Sequence, residues 1–249
     1  MIDLTGQHIF IVGGSRGIGA ETARTAAKAG AKVSINFQSN VAAAQALVDE
    51  IGGKAWSVQA DAAADGALDG AVDQAVAKHG PLSGMVISAG IFEAAKIEVM
   101  TCDFWDRMMA VNLRSTFLGV RAAARHLRAR GKGGSIVIYT STAGQRGSAD
   151  FSAYATSKGA QILFMRSMAL ELAKNRIRVN CIAPSWTETA MSGHVMDAIG
   201  REQVLKGCPL GRVGLPSDVA GATAFLLSDL AQFVTGSTMT VDGGIDMRG

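Results

Sequence analysis

Short runs rich in β-branched and aromatic residues alternate with longer runs of helical character along the whole sequence, and this alternation narrows the possible folds more than any other feature. The β-like runs fall at 8–12, 32–36, 54–59, 85–88, 134–139, 178–182 and 239–241. Helical patterns occupy 20–29, 41–51, 65–78, 102–130, 153–175 and 217–228, the last with Ser217 placed as its N-cap behind Pro216. Strands separated by helices pair in parallel through right-handed crossovers, which leaves helices on both faces of the sheet. No linker, low-complexity tract or repeat interrupts the pattern. The expectation is one α/β doubly wound domain over residues 1–249, with a seven-stranded parallel sheet covered on both faces.

Composition removes several alternatives. The net charge is +3, and the Lys and Arg residues are scattered rather than gathered into a basic stripe with interleaved aromatics, so nucleic acid is not an expected partner. No apolar run reaches the ~18 residues of a membrane span, and the first residues, M-I-D-L-T-G-Q, lack the basic-then-apolar form of a signal peptide. Cys102, Cys181 and Cys208 are widely spaced and odd in number, as expected of reduced thiols in a cytoplasmic protein. His8, His79, His126 and His194 share no metal-ligand spacing, so no metal is expected.

Two stretches carry chemistry. The first β-run leads into Gly13-Gly14-Ser15-Arg16-Gly17-Ile18-Gly19 and then a helix. Glycines there let the backbone approach a pyrophosphate, whose charge is met by amides at the helix N-terminus. The second stretch runs from Ser141 to Lys158 and contains Tyr154 and Lys158 four residues apart, on one face of a helix if 153 onward is helical. An ammonium one turn away favours a phenolate over the phenol, which suits a general acid/base. Taken alone, the pair also reads as two residues that happen to share a helix face.

Gly13, Gly17 and Gly19, followed by Ser141, Tyr154 and Lys158, resemble the short-chain dehydrogenase/reductase family along essentially the whole chain, in particular its 3-oxoacyl-ACP reductase-like members. The resemblance implies a Rossmann-type domain and a catalytic set of Asn112, Ser141, Tyr154 and Lys158. Ser141 would hold a substrate oxygen and Tyr154 would exchange a proton with it. Lys158 would lower the Tyr154 pKa, and Asn112 would hold a water in a proton relay. Cofactor contacts are implied for Gly13, Ser15, Arg16, Gly17, Ile18 and Gly19, for Phe37, Gln38 and Ser39, and for Asp61 and Ala62. Further contacts are implied for Ser88, Ala89 and Gly90, for Tyr154 and Lys158, and for Pro184, Ser185, Thr187 and Thr189. Asp61 and Asn112 each also have a plain structural reading, as a turn cap and a helix brace. Val12, Ile87-Ser88 and Ser185 depart from the family pattern, which usually has Thr, Asn-Asn and Gly there.

The implied activity is interconversion of a ketone and a secondary alcohol with a nicotinamide cofactor. Reduction of a 3-oxoacyl thioester is the alternative, and a catalytically silent dinucleotide-binding regulator is the rival outside enzymology. NAD enzymes of this architecture place an acidic residue about 20 positions beyond the glycine loop. Phe37 stands there among uncharged Asn36, Gln38, Ser39 and Asn40, while Arg16 can meet a 2′-phosphate, so NADP(H) is expected over NAD(H). Phe37 packing under adenine without selecting either cofactor is the other reading. The segment around Trp186, Met191, Val195, Met196 and Ile199 reads either as a substrate-pocket wall or as an ordinary lid helix, and Arg146 as an anion contact or a solvated loop residue. The family resemblance also implies a homotetramer, pairing through the long helices at 102–130 and 153–175 and through 225–249.

Overall fold

Apolar β-runs with no polar face must be covered on both sides, and the central strands over 8–12, 84–87 and 135–139 are buried throughout. A computed structural model describes residues 2–246. Its strands are β1 (His8–Val12), β2 (Lys32–Phe37), β3 (Ala55–Gln59), β4 (Gly84–Ile87), β5 (Gly134–Tyr139), β6 (Ile177–Pro184) and β7 (Thr238–Val241). They form one seven-stranded sheet in the order β3-β2-β1-β4-β5-β6-β7, with every neighbouring pair parallel. The intervening helices are α1 (Gly17–Lys28), α2 (Val41–Ile51), α3 (Ala67–His79), α4 (Cys102–Met109) and α5 (Ser115–Arg130). They continue with α6 (Thr142–Arg146), α7 (Ser152–Leu172), α8 (Ala190–Ile199), α9 (Arg201–Lys206) and α10 (Pro216–Leu227).

Side chains alternate across each strand, and β1 shows the consequence. Phe10 and Val12 enter a core with Leu68 of α3, Leu118 of α5 and Met165 of α7. Ile9 and Ile11 enter a second core with Ala23 of α1, Leu47 of α2 and Leu226 of α10. The family departures are absorbed by the same packing, since Val12 and Ile87 are both fully buried apolar residues.

Three sequence expectations are corrected. The helix expected over 102–130 is broken between α4 and α5 by a π-helical turn at Ala110–Arg114, which contains Asn112. The helix expected over 153–175 ends at Leu172 and closes with a 3-10 turn at Ala173–Asn175. Ser217 is not an N-cap. Leu215 holds that position, Pro216 is the first helical residue, and the Asp218 carboxylate accepts from the Leu215 amide at 2.7 Å. Pro at the first position loses no helical hydrogen bond, so the helix begins two residues earlier than the Ser reading allows.

A buried histidine makes the fold pH-sensitive. His8 is 2% exposed, its Nδ1 donates to the Gly80 carbonyl at 2.8 Å, and its Nε2 meets the Ser34 hydroxyl at 2.8 Å. Both ring nitrogens are satisfied with the ring neutral, and burial, reinforced by nearby His79 and Lys32, holds its pKa down at about 4 from the usual 6.5. The unfolded chain therefore takes up a proton that the folded chain refuses. Stability is full above about pH 6.5 and is lost as pH falls toward 4, by about 3 kcal/mol from this group alone. Melting temperatures between pH 7.5 and 4.5 are expected to fall more steeply for the wild type than for His8→Gln. Equal slopes would contradict the assignment.

Candidate active site

Strand order reverses between β1 and β4, so the loops leaving them diverge and open a crevice at the carboxyl edge of the sheet. Gly13 leaves β1 at φ +73, and a Cβ there would lie 2.7 Å from the Ala89 backbone, so the two loops touch only because this residue has no side chain. Gly17 opens α1 at φ +54, and its missing side chain would point across the cleft to Thr189, 3.5 Å away. Arg16 precedes α1 as its N-cap but makes no capping bond, which leaves the first amides of the helix open to an anion.

The crevice is a cleft of about 350 Å³. It gathers every residue named above for cofactor and catalysis except Gly19 and Asn112. Gly19 lies beneath the loop, where a Cβ would meet the Gly13 carbonyl at 2.5 Å. At one end stand Phe37, Gln38, Ser39 and Asp61, and at the other Ser141, Tyr154 and Lys158. Asp61 caps its own turn by accepting from the Ala63 amide at 2.9 Å. Ser185, the departure in the loop after β6, donates to the Asp242 carbonyl at 3.2 Å and ties that loop to the chain beyond β7.

Ser141 stands at the N-terminus of α6 and accepts from the Ala143 amide at 3.1 Å. Tyr154 and Lys158 share a face of α7, with the Lys158 Nζ 5.7 Å from the Tyr154 ring centroid. That ammonium donates to the Tyr139 carbonyl at 2.8 Å, and Thr140 Oγ1 donates to the Lys158 carbonyl at 2.6 Å, so the end of β5 fixes the lysine from both sides. Burial pushes the Lys158 pKa down to about 8. Burial pushes the Tyr154 phenol up, and its hydrogen bond with Ser141 works in the opposite direction.

Asn112 sits behind this group, fully buried in the π-helical turn. Its Oδ1 accepts from the Ile91 amide at 2.8 Å, and its Nδ2 donates to the Ile91 carbonyl at 3.1 Å and to Ser157 Oγ at 3.0 Å. Its own carbonyl accepts from Thr116 Oγ1 at 2.8 Å and Gln161 Nε2 at 2.9 Å. These bonds clamp the loop after β4 to α7. π turns inserted in α-helices recur at functional sites.

Trp186, read from the sequence as a pocket wall or part of a lid, does line the cleft, and Phe92 and Phe151 line it too. The structure places their rings together beside Tyr154, a convergence that no periodicity signals. Arg146 also lines the cleft, exposed at its rim. Among the described residues there is no group of three His, Cys, Asp or Glu that could hold a metal ion. Nor is any helix there long and apolar enough to cross a membrane.

A glycine loop at a helix N-terminus, set at the switch point of a doubly wound sheet, defines a Rossmann-fold dinucleotide-binding protein. Within that class the chain belongs to the short-chain dehydrogenase/reductase family. Residues 12–246 match the family described as enoyl-(acyl carrier protein) reductase. The chain is 38% identical to an uncharacterized oxidoreductase of Methylorubrum extorquens, over 98% of this chain and 100% of that one. It is 35% identical to a 3-oxoacyl-[acyl-carrier-protein] reductase of Synechocystis, over 99% of this chain and 100% of the relative. The crystal structure of a 3-ketoacyl-(acyl-carrier-protein) reductase from Brucella melitensis complexed with NADH superposes with a TM-score of 0.92 at 31% identity, covering 98% and 100% of the two chains. The protein is an oxidoreductase of a family that binds nicotinamide dinucleotides and acts on small molecules.

Proposed function

We propose that the protein, acting as one catalytic unit, is an NADP(H)-dependent oxidoreductase that interconverts a ketone and a secondary alcohol. The observation that supports this most is the meeting of Ser141, Tyr154 and Lys158 at one end of a cleft whose other end lacks any acidic side chain at the position of Phe37. The cleft fits a dinucleotide: open helix amides and the missing Gly17 side chain leave room and charge for a pyrophosphate. The bound cofactor supplies or accepts the hydride, and the protein supplies position and proton.

In this reading Ser141 holds the substrate oxygen beside Tyr154. The buried phenol stays protonated at neutral pH and donates its proton to that oxygen during reduction. Lys158 remains largely an ammonium below its pKa of about 8 and stabilises the phenolate left behind. It would also hold the ribose hydroxyls of the nicotinamide half. Asn112 acts as a positioning residue through Ile91 and Ser157. Arg16, exposed at the glycine loop, would meet the 2′-phosphate, and Gln38 and Ser39 would add hydrogen bonds.

A second reading, reduction of a 3-oxoacyl thioester, is supported by the names of the Synechocystis and Brucella relatives. A panel of ketones and 3-oxoacyl thioesters, followed by NADPH oxidation, tests both. Oxidation with ketones supports the first reading, oxidation with thioesters alone favours the second, and none with either leaves the silent-regulator reading standing.

The protein is further proposed to assemble as a homotetramer. Phe117 of α5 and Leu163 and Leu170 of α7 are exposed on the outer helical face, Leu170 at 83%. Leu230 and Phe233 are exposed near the C-terminus, and the end of that expected interface, residues 247–249, lies outside the described residues. Apolar side chains grouped this way mark protein contacts. Light scattering at micromolar concentration is expected to give four times the chain mass. A monomer would contradict this.

A further inference from the structure

The cleft carries more aromatic surface than an acid/base site needs. Phe92 lies at its centre, stacked on Phe151 with centroids 4.6 Å apart and planes 12° from parallel. It meets Tyr154 edge-on at 4.8 Å and Trp186 edge-on at 6.0 Å. All four rings are only partly buried and all line the cleft. Phe92, Phe151 and Trp186 belong to neither hydrophobic core. They come from three separate connections, after β4, before α7 and after β6, and meet beside the ring of Tyr154.

The backbone is shaped to keep them there. Asp150, immediately before Phe151, adopts φ 62, a conformation uncommon outside glycine. Its carbonyl accepts from the Ala95 amide at 2.8 Å, which binds the turn before α7 to the loop that carries Phe92. Phe151 itself occupies the N-cap of α7, where Ser, Thr, Asp or Asn would contribute a capping bond, and none is made. A helix cap is forgone at the one position that puts a ring against Phe92.

We propose that Phe92, Phe151 and Trp186 form a specificity clamp for ketones carried on a planar aromatic ring system. The proposal rests on the ketone-reductase reading of the same site and names its substrate class. A carbonyl bound at Ser141 and Tyr154 has its substituents among these rings. An alkyl substituent gains from them only the burial of its area. An aryl substituent gains in addition the stacked and edge-to-face contacts that favour aromatic pairs, worth about 2- to 10-fold in affinity for each pairing. Because these contacts exist in substrate and transition state alike, the preference falls mainly on KM.

The test compares 1-tetralone with 1-decalone, the same fused skeleton with and without an aromatic ring, alongside acetoacetyl-CoA, in NADPH-dependent reduction. The wild type is expected to prefer tetralone over decalone by at least tenfold in kcat/KM. Phe92→Leu and Trp186→Leu should each bring the two ketones closer to parity by raising the tetralone KM, with decalone kcat little changed. Melting curves and NADPH titration establish that each variant is folded and binds cofactor, and either variant suffices. Equal efficiencies in the wild type overturn the clamp while leaving the ketone-reductase reading intact. A preference untouched in a folded variant does the same, and stronger turnover of acetoacetyl-CoA than of either ketone overturns the clamp in favour of the thioester reading. Absence of reduction for all three substrates overturns both.

Discussion

Replacing Tyr154 with Phe is expected to leave a folded protein that binds dinucleotide and turns over at least a hundredfold more slowly. Positioned general acid/base catalysis contributes about 10²–10⁴-fold, and no other side chain in the cleft is placed to stand in. The only other tyrosine, Tyr139, is fully committed. Its hydroxyl is bonded to Thr22 Oγ1 at 2.6 Å and Thr223 Oγ1 at 2.7 Å, and burial pushes its pKa up to about 12. Ser141 offers a hydroxyl but titrates far outside the working range. Steady-state turnover of the best substrate from the panel decides the matter, with the melting temperature as control. A variant that kept more than a tenth of the wild-type rate would remove Tyr154 from its role.

The second large effect is on cofactor choice. Wild-type enzyme is expected to be more efficient with NADPH than with NADH, and a carboxylate at the end of β2 should reverse the order by at least tenfold. Like charges brought together in a recognition site cost several kcal/mol. Phe37 is the position matching the usual acidic residue, but it is 7% exposed, so Phe37→Asp also places a carboxylate where a buried ring stood. Ser39→Asp is the cleaner partner variant because Ser39 is exposed on the same side of the cleft. Both substitutions act on the 2′-phosphate and not on the nicotinamide end, so kcat with NADH should change little. Greater efficiency with NADH in the wild type would show that Phe37 and Arg16 do not select the phosphate.

The sheet was legible because parallel strands buried on both faces must be apolar throughout, and such runs are short, dense in Val and Ile, and hard to mistake. The glycine loop was legible because its chemistry is local: the residues that bend the chain are the residues that make the site. What escaped were features set by neighbours remote in sequence. The π-helical turn at Ala110–Arg114 adds no break in hydrophobic pattern, since its register is set by Asn112 reaching Ile91 and Ser157. That Lys158 is buried against the end of β5, with its ammonium on the Tyr139 carbonyl, is a tertiary fact. Ser217 is a local exception: it looked like a cap by residue type, but Leu215 holds that position and the Asp218 carboxylate reaches back to its amide. The aromatic group around Phe92 draws on three connections and has no period at all.

Strand order has a consequence for how the protein comes off the ribosome. β1 is synthesised first among the strands and ends in the middle of the sheet, with β2 on one edge and β4 on the other. Because β2 and β3 emerge directly afterwards, they close one side of β1 early, while its other edge waits several seconds of translation for β4. During that interval the nascent chain presents an unpaired apolar edge, the kind of surface that invites wrong partners. The glycine loop sits at the end of the same strand, and its far wall, the Ala89 backbone, arrives only with β4. Ser141 and Trp186 come later still, so a stalled or truncated chain holds neither a sealed nucleotide cleft nor a substrate site. Binding of the dinucleotide is therefore a late event in biogenesis, and a chaperone that shields β1 would act before any ligand can.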